Sequence, residues 1–332
     1  MKGLTYAKAG VDIQAENKSI DAMKAVLNAK RKGFGAPMTE IGHYAGLLDM
    51  GSFALAMTTD GVGSKVLIAN AMKKWDTVGI DCIAMNVNDL YAIGAEPIAF
   101  VDYLAVEQVD PKRAGQLAIG LQRGAQLSNM TIVGGETASL PEIIKGFDLA
   151  GTAIGVVDKD KIVTGEKIQV GDVLVGVPSD GLHSNGYTLA RRIIEQSMYT
   201  YHDQMPNSDK TIGEELLTPT RIYFEILELV KKCDVHGLAH ITGSGLLKLH
   251  RITGFGFEIN DPLEPQPIFG FLQKLGDVDD IEMYRTFNMG MGFVVVVPEE
   301  EASLACKLMG KGSKVIGSIV KSGLKKGDLQ LN

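Results

Sequence analysis

One stretch of the sequence combines a carboxylate, two glycines and a lysine in a spacing that suits phosphate chemistry. The apolar run Phe53–Met57 predicts a strand, and Asp60 follows it. The next loop contains Gly61 and Gly63, and Lys65 begins a helical pattern. A carboxylate can hold a cation, glycines let the backbone approach phosphate oxygens, and a helix N-terminus with an ammonium group attracts negative charge. The stretch is therefore typical of a magnesium–polyphosphate site, although Asp-Gly is also common in ordinary turns.

A second polar group lies on the helix predicted at Asp76–Gly94. Asn86 and Asp89 are three residues apart and therefore share one face of that helix. Short polar residues are poor helix formers, so their presence within an apolar pattern needs a reason. Either they cap or solvate the helix, or their oxygens bind the same cation as Asp60.

A third acidic group follows a predicted strand. The apolar run Met130–Val133 predicts a short buried strand, and Gly134, Gly135 and Glu136 come directly after it. Ligands of α/β proteins gather at the carboxyl ends of strands. Glu136 is therefore a further candidate ligand.

Two loops in the second half of the chain are rich in glycine and hydroxyl groups and precede helical patterns. Ser184 and Asn185 lie before the helix predicted at Thr188–Gln196. Such a loop either caps its helix or binds an anion such as a ribose phosphate. His240 and Thr242 lie in the other loop. A single histidine is more often structural, but His240 could also orient or protonate a substrate.

The composition narrows the class of protein. The chain has 332 residues, of which 45% are hydrophobic and 22% charged, as expected for two ordinary globular domains. A net charge of −7 argues against a general nucleic-acid binder. The three cysteines are far apart, so neither a disulfide framework nor a CxxC metal site is indicated. Because no apolar run reaches membrane-spanning length and no leader pattern is present, we expect a cytoplasmic protein.

The absence of several motifs also limits the chemistry. The sequence contains no GxxxxGK[ST], GxGxxG, HExxH or GxSxG pattern, which argues against a P-loop, a Rossmann dinucleotide site, a zincin and a nucleophile elbow. Many acidic groups and few candidate nucleophiles favour metal-assisted phosphoryl chemistry.

The order of strand and helix patterns predicts an α/β fold of two domains, residues 1–157 and 168–332. The charged segment 158–167 between them is the predicted boundary. Pro97–Val106 reads as a strand of the first domain, and Thr218-Pro219 predicts the start of a helix in the second.

Taken together, these stretches resemble one family, the phosphoribosylformylglycinamidine cyclo-ligases, also called aminoimidazole ribonucleotide synthetases. The resemblance covers nearly the whole chain. Its segments are, in order, Tyr6–Asp12, Tyr44–Leu47, Thr59–Lys65, Val87–Asp89, Gly94–Pro97, Gly134–Ala138, Phe147–Gly151, Gly181–Tyr187, Leu216–Thr220 and Phe287–Gly290.

The resemblance implies two α/β domains with mixed sheets flanked by helices, and a homodimer in which the N-terminal sheets join in a shared barrel. It implies an ATP- and Mg²⁺-dependent ring closure of formylglycinamidine ribonucleotide to 5-aminoimidazole ribonucleotide in purine biosynthesis. ATP would phosphorylate the formyl amide oxygen, and that oxygen would depart with phosphate when a nitrogen attacks. The N-terminal domain would bind ATP, Mg²⁺ and the second subunit, and the C-terminal domain would face the substrate.

The resemblance also assigns roles to individual residues. The implied metal ligands are Asp60, Asp89, Glu136 and Asp49, with Asn86 as a further candidate. The implied ATP-binding residues are Asp60, Gly61, Gly63, Lys65, Gly134, Gly135 and Glu136. The implied catalytic residues are His240 and Lys65, and the implied substrate-binding residues are Ser184, Asn185 and Thr242.

The sequence departs from the family pattern at Glu16, Ser64 and Ser244, where glycine, threonine and glycine are usual. Relatives with other activities fit less well. Selenophosphate synthetases are expected to carry a cysteine near the N-terminus, whereas the first cysteine here is Cys82. Thiamine-monophosphate kinases have a Gly-Asp-Asp pattern where this chain has Gly42-His43-Tyr44. A non-catalytic subunit that binds nucleotide remains an alternative of a different class.

Overall fold

The computed structural model describes residues 3–327 and 329–331. The first part of the chain contains α1 (Ile13–Val26), β1 (Gly46–Asp49), β2 (Phe53–Gly61), α2 (Lys65–Met72), α3 (Val78–Tyr91), β3 (Glu96–Val106), α4 (Pro111–Leu127), β4 (Thr131–Ser139) and β5 (Phe147–Asp158). The second part contains β6 (Val173–Pro178), α5 (Tyr187–Glu195), α6 (Ile212–Leu216), α7 (Ile226–Lys232), β7 (Gly237–His240), β8 (Gly256–Ile259), α8 (Pro267–Gly276), α9 (Asp280–Thr286), β9 (Met291–Val297), α10 (Ala302–Met309), β10 (Lys314–Val320), β11 (Leu324–Lys326) and β12 (Leu329–Gln330). Short 3₁₀ segments lie at Lys159–Lys161, Gly245–Arg251 and Glu299–Glu301.

The first sheet has the strand order β1-β2-β5-β3-β4, in which the β3–β4 pair is parallel and the other pairs are antiparallel. In one row, Asp60 of β2 lies opposite Gly151 of β5, which lies opposite Asp102 of β3. A Cβ at Gly151 would overlap the ring of Phe100, so only glycine fits there. The buried helix α3 packs on β2 and β5 from this side. Asp60 is therefore held between the sheet and α3.

The opposite face of the first sheet presents apolar side chains to the surface. Met57, Val101, Tyr103 and Val133 are between 38% and 65% exposed. An apolar area of this kind on a folded chain marks a surface for another protein or ligand.

The second sheet has the order β12-β11-β8-β10-β6-β9-β7, with a parallel β8–β11 pair and antiparallel neighbours elsewhere. All seven residues of β9 are buried, which explains its continuous apolar sequence. The prediction of an α/β fold with two mixed sheets flanked by helices is confirmed. The sheets occupy residues 46–158 and 173–330, and the domain bounds 1–157 and 168–332 stay a prediction.

Polar side chains of α3 bind the segment that precedes α7. Asp81 Oδ1 accepts hydrogen bonds from the Thr220 backbone N–H (2.7 Å) and hydroxyl (2.6 Å). Asn88 Oδ1 accepts one from the Tyr223 N–H (3.1 Å). In a helix that begins at Thr218-Pro219 the Tyr223 N–H would bond to the Pro219 carbonyl oxygen, but here Asn88 accepts it. The prediction that a helix begins at Thr218-Pro219 is therefore wrong.

The strand predicted at Met130–Val133 is also different in the structure. β4 runs on to Ser139, lies at the edge of its sheet and is mostly exposed, so the prediction of a short buried strand is wrong. Residues 134–136 are consequently part of a strand and not of a loop after it. Among the described residues, none of the helices has both the length and the hydrophobicity that a membrane span requires.

Candidate active site

The end of β2 lies against the polar face of α3. Asn86 Nδ2 donates to the carbonyl oxygens of Asp60 (3.1 Å) and Cys82 (2.8 Å). These bonds fix the amide group, and within the described residues its buried Oδ1 has no hydrogen-bond partner. A buried acceptor without a donor is unfavourable unless a ligand or water satisfies it. The structure thus leaves one unused oxygen beside Asp60.

The Asp60 carboxyl group lies in an environment that disfavours its charge. Burial is the main cause and the negative charge of Asp89 the second, and together they raise the pKa of Asp60 to about 6. The Gly61 N–H, 2.7 Å from Asp60 Oδ1, acts in the opposite direction. A bound cation would remove the repulsion between the two carboxylates.

This donor set fits Mg²⁺. Asp60 and Asp89 supply carboxylate oxygens and Asn86 supplies the unused amide oxygen, and Mg²⁺ prefers oxygen ligands. Across residues 3–327 and 329–331, no three His, Cys, Asp or Glu side chains form a metal-binding group. A Mg²⁺ ion at this position would therefore take its other ligands from substrate phosphates and water, as is usual for this ion.

His240 lies directly behind Asp89. Its Nδ1 is 2.8 Å from Asp89 Oδ1, and its Nε2 is 3.4 Å from Asn88 Nδ2. The ring stacks on Phe293 with centroids 6.1 Å apart and has no exposed surface. If Nδ1 carries the proton, the ring donates to Asp89 and accepts from Asn88, so all of its polar atoms are used. This position favours orientation of Asp89 over the predicted transfer of a proton to substrate.

Lys65 is fully buried and already has three partners. Its Nζ lies 2.8 Å from Asp81 Oδ2 and donates to the carbonyl oxygens of His183 (2.8 Å) and Thr218 (2.7 Å). Burial lowers the pKa of Lys65, and the charge of Asp81 opposes this shift. The ammonium group thus ties α2 and α3 to two segments of the second part of the chain. In this arrangement no donor of Nζ is left for the predicted phosphate contact.

The loop after β2 is held by residues that precede and begin α5. Ser184 Oγ donates to the Val62 carbonyl oxygen (2.6 Å), and Ser64 Oγ is 3.2 Å from Thr188 Oγ1. Gly63 has a φ of +70°, which favours glycine at this position. The Ser184 hydroxyl, which is predicted to bind substrate, thus holds the loop after β2 in this structure.

Two other predicted substrate residues lie near this contact between the loop after β2 and α5. Asn185 Nδ2 is 3.7 Å from Met85 Sδ on α3. A Cβ on Gly243 would lie 2.9 Å from Asn185 Oδ1, so the 240–245 loop approaches Asn185 closely. Thr242 in that loop is buried. The structure thus brings the 184–185 and 240–245 loops together beside α3.

Two predicted metal ligands do not join this site. Asp49 of β1 lies opposite Ala54 of β2. Ala54 is six residues before Asp60 on β2, so the two acidic residues are roughly 20 Å apart. Asp49 forms an ion pair with Lys159 at 2.6 Å. Glu136 lies opposite Tyr103 on the exposed face of the sheet. Its strand is the third from that of Asp60, so the two residues are separated by roughly 14 Å across the sheet. Gly134 and Gly135 lie on the same edge strand and are equally remote within one chain.

A lysine that no sequence motif marks lies near the acidic cluster. Lys248 lies in the 3₁₀ segment after the His240 loop and is half-buried. Burial and the charge of Arg251 lower the pKa of Lys248 to about 8, against the effect of Asp89, Asp60 and Glu16. Nothing in the sequence near Lys248 marks it as functional, because only the folded chain brings it opposite residues from β2 and α3.

Comparison with known proteins identifies the family. Two family models match: AIR synthase related protein, N-terminal domain, over residues 42–157, and AIR synthase related protein, C-terminal domain, over residues 169–329. The phosphoribosylformylglycinamidine cyclo-ligase of Methanosarcina barkeri is 66% identical, over 99% of this chain and 98% of its own. The Pyrococcus furiosus protein of that name is 50% identical over 93% and 92% of the two chains.

Solved structures agree at the level of the fold. The structure of tt0281 from Thermus thermophilus has a TM-score of 0.69 at 18% identity and covers 97% of this chain and 99% of its own. AaThiL complexed with AMPPCP and TMP has a TM-score of 0.66 at 17% identity, with 96% and 97% covered. Sequence identities this low establish only a similar fold, whereas the much higher identities of the full-length relatives establish the family. The chain therefore belongs to the family of phosphoribosylformylglycinamidine cyclo-ligases, the AIR synthases, as its motifs predicted.

Proposed function

We propose that the chain closes the ring of formylglycinamidine ribonucleotide to give 5-aminoimidazole ribonucleotide, with conversion of ATP to ADP and phosphate, in purine biosynthesis. The observation that carries this proposal is the 66% identity to a cyclo-ligase over almost the full length of both chains. The acidic cluster of Asp60, Asn86 and Asp89 supports it, because the cluster suits a Mg²⁺–polyphosphate. A further support is AaThiL, a protein of the same fold whose solved structure is named as a complex with AMPPCP, an ATP analogue.

The reaction proceeds in two steps that need little covalent help from the protein. The formyl amide oxygen attacks the γ-phosphorus of ATP, the bond from phosphorus to the bridging oxygen breaks, and its electron pair leaves with ADP. The nitrogen of the amidine side then attacks the formyl carbon, the carbon–oxygen bond breaks, and phosphate leaves with the electron pair while the nitrogen loses its proton. Positioning and charge stabilisation account for most of the catalysis in such a reaction.

The chain's residues divide these tasks. Asp60, Asn86 and Asp89 would hold Mg²⁺, which would neutralise charge on the phosphates. His240 keeps Asp89 in one orientation through its 2.8 Å contact. The backbone at Gly61 and in the following loop approaches the phosphates, as the N-terminus of α2 favours negative charge. In this proposal residues 1–157 form the ATP- and Mg²⁺-binding and dimerisation domain, and residues 168–332 face the substrate.

The proposal includes a homodimer in which the two N-terminal sheets join in a barrel. The exposed apolar face of Met57, Val101, Tyr103 and Val133 supports it, since two such faces would cover each other. Glu136 lies on this face and would come to the interface, where it can reach an ATP site that both subunits share. A cytoplasmic location, where ATP is available, completes the proposal.

A turnover assay tests the reaction. The purified chain is mixed with ATP, Mg²⁺ and formylglycinamidine ribonucleotide, and ADP and 5-aminoimidazole ribonucleotide are measured together. We expect the two products in equal amounts, each dependent on the ribonucleotide. ADP without 5-aminoimidazole ribonucleotide would contradict the ring closure, and binding of ATP without either product would favour a non-catalytic role.

A further inference from the structure

We propose that Lys248 is a catalytic residue whose ammonium group contacts the γ-phosphoryl group as it moves from ATP to the formyl oxygen. The inference rests on the proposed function and adds a residue to it. Its starting point is an imbalance in the site: Asp60, Asp89 and the phosphates are anionic, and phosphoryl transfer is usually assisted by a protein cation as well as a metal.

Lys65, the cation expected from the sequence, cannot supply this charge as it is placed. Its Nζ is fully buried and bound to Asp81, His183 and Thr218. Lys248 differs in both respects, because it is half-buried and, within residues 3–327 and 329–331, its Nζ makes no hydrogen bond or ion pair. A lysine in this state can still give its donors to a ligand.

The backbone holds Lys248 beside the acidic cluster. Tyr44 OH lies 3.4 Å from the carbonyl oxygens of both His240 and Lys248. The 3₁₀ segment begins at Gly245, where φ is +51° and a Cβ would collide with the Tyr284 carbonyl oxygen. The start of the segment therefore packs closely against Tyr284, and Tyr44 joins its backbone to the strand end that carries His240.

The charges that act on the Lys248 ammonium group include those of the candidate cation site. The carboxylates of Asp89 and Asp60 both act on its ammonium group, as does that of Glu16 on α1. The Arg251 guanidinium acts in the opposite sense and lies 5.4 Å from the Tyr44 ring. Because Tyr44 ties the Lys248 backbone to His240, which contacts Asp89, the Lys248 ammonium group can reach a polyphosphate bound at this cation site. In the first step it would stabilise the charge on the three equatorial oxygens of the moving phosphoryl group.

The test compares Lys248→Met, Lys248→Arg and the exposed-lysine control Lys307→Met in the turnover assay. We expect Lys248→Met to lower kcat by about 10²- to 10³-fold, the usual effect of removing one preorganised transition-state donor. KM for formylglycinamidine ribonucleotide should change by less than about threefold, because the loss is in the transition state. Lys248→Arg should restore part of kcat, and Lys307→Met should match the wild type.

Each other outcome overturns the inference. A Lys248→Met kcat within about threefold of the wild type would exclude a role in phosphoryl transfer. A loss confined to KM for the ribonucleotide would assign Lys248 to the substrate's own phosphate. A Lys248→Arg variant as slow as Lys248→Met, with both variants melting as the wild type does, would exclude a charge effect. A wild-type chain that makes no product would overturn the proposed function and this inference with it.

Discussion

Replacement of Lys65 by methionine would leave the Asp81 carboxylate buried without its counterion. Both side chains are fully buried, and their ion pair measures 2.8 Å. Removal of one partner of such a pair destabilises a protein by about 3–5 kcal/mol. An unfolding entropy of about 2.1 cal/mol/K per residue gives roughly 0.7 kcal/mol/K for a chain of this length, if it unfolds as one unit. We therefore expect Lys65→Met to lower Tm by roughly 4–7 °C.

Two measurements on the same variant separate the structural role of Lys65 from the predicted nucleotide contact. Scanning calorimetry gives the Tm, and titration calorimetry with ATP and Mg²⁺ gives the affinity. We expect the affinity to stay within about threefold of the wild type, because Nζ already donates to three protein oxygens. The double variant Lys65→Met/Asp81→Asn should recover part of the lost Tm, since the amide can still accept from Thr220.

The opposite pattern would refute this reasoning. If Lys65→Met melted within about 1 °C of the wild type and lost more than about 100-fold in ATP affinity, Lys65 would be the nucleotide ligand that its motif predicts. The control Lys307→Met, at an exposed position, should change neither quantity.

Three further changes test the site and the surface. Asp60→Asn should raise the Tm of the metal-free chain at pH 7.5 but not at pH 4.5. The pKa of Asp60 in the folded chain, about 6, lies above the ordinary value for aspartate, so the wild type loses stability as the pH rises through that pKa. Sedimentation velocity should find the Tyr103→Glu variant monomeric. The control variant Met198→Glu, in which the replaced side chain is 90% exposed and lies away from this face, should stay dimeric. A dimeric Tyr103→Glu variant would contradict the barrel. His240→Gln should lose activity by weakening Mg²⁺ binding, so excess Mg²⁺ should restore most of kcat; a loss insensitive to Mg²⁺ would instead indicate proton transfer.

The sequence predicts the parts of the site that depend on local pattern. β2 with Asp60 at its end, and the Asn86–Asp89 spacing on α3, follow from period-two and period-3.6 arrangements. It does not predict which neighbours a side chain meets across the fold. Lys65 begins a helix as expected, but Asp81 and two carbonyl oxygens from the second part of the chain occupy its ammonium group.

Non-local contacts explain the other differences. The sequence places Glu136 after a strand and the resemblance makes Asp49 a ligand. The register of the sheet instead places Asp49 at the far end of β1 and Glu136 within β4 on the opposite face. Residues 218–225 have a good helix start, but bonds from Thr220 and Tyr223 to Asp81 and Asn88 keep the segment before α7 out of a helix. Lys248 becomes a candidate only when its segment is placed beside Asp60 and Asp89.

The fate of the formyl oxygen tests the proposed reaction most directly. Formylglycinamidine ribonucleotide labelled with ¹⁸O in its formyl group is converted with ATP and Mg²⁺, and the released phosphate is analysed by ³¹P NMR or mass spectrometry. We expect each released phosphate to carry one ¹⁸O atom, because the formyl oxygen leaves bound to the phosphorus that ATP supplied. Unlabelled phosphate, with the label in water, would contradict phosphorylation of the formyl oxygen.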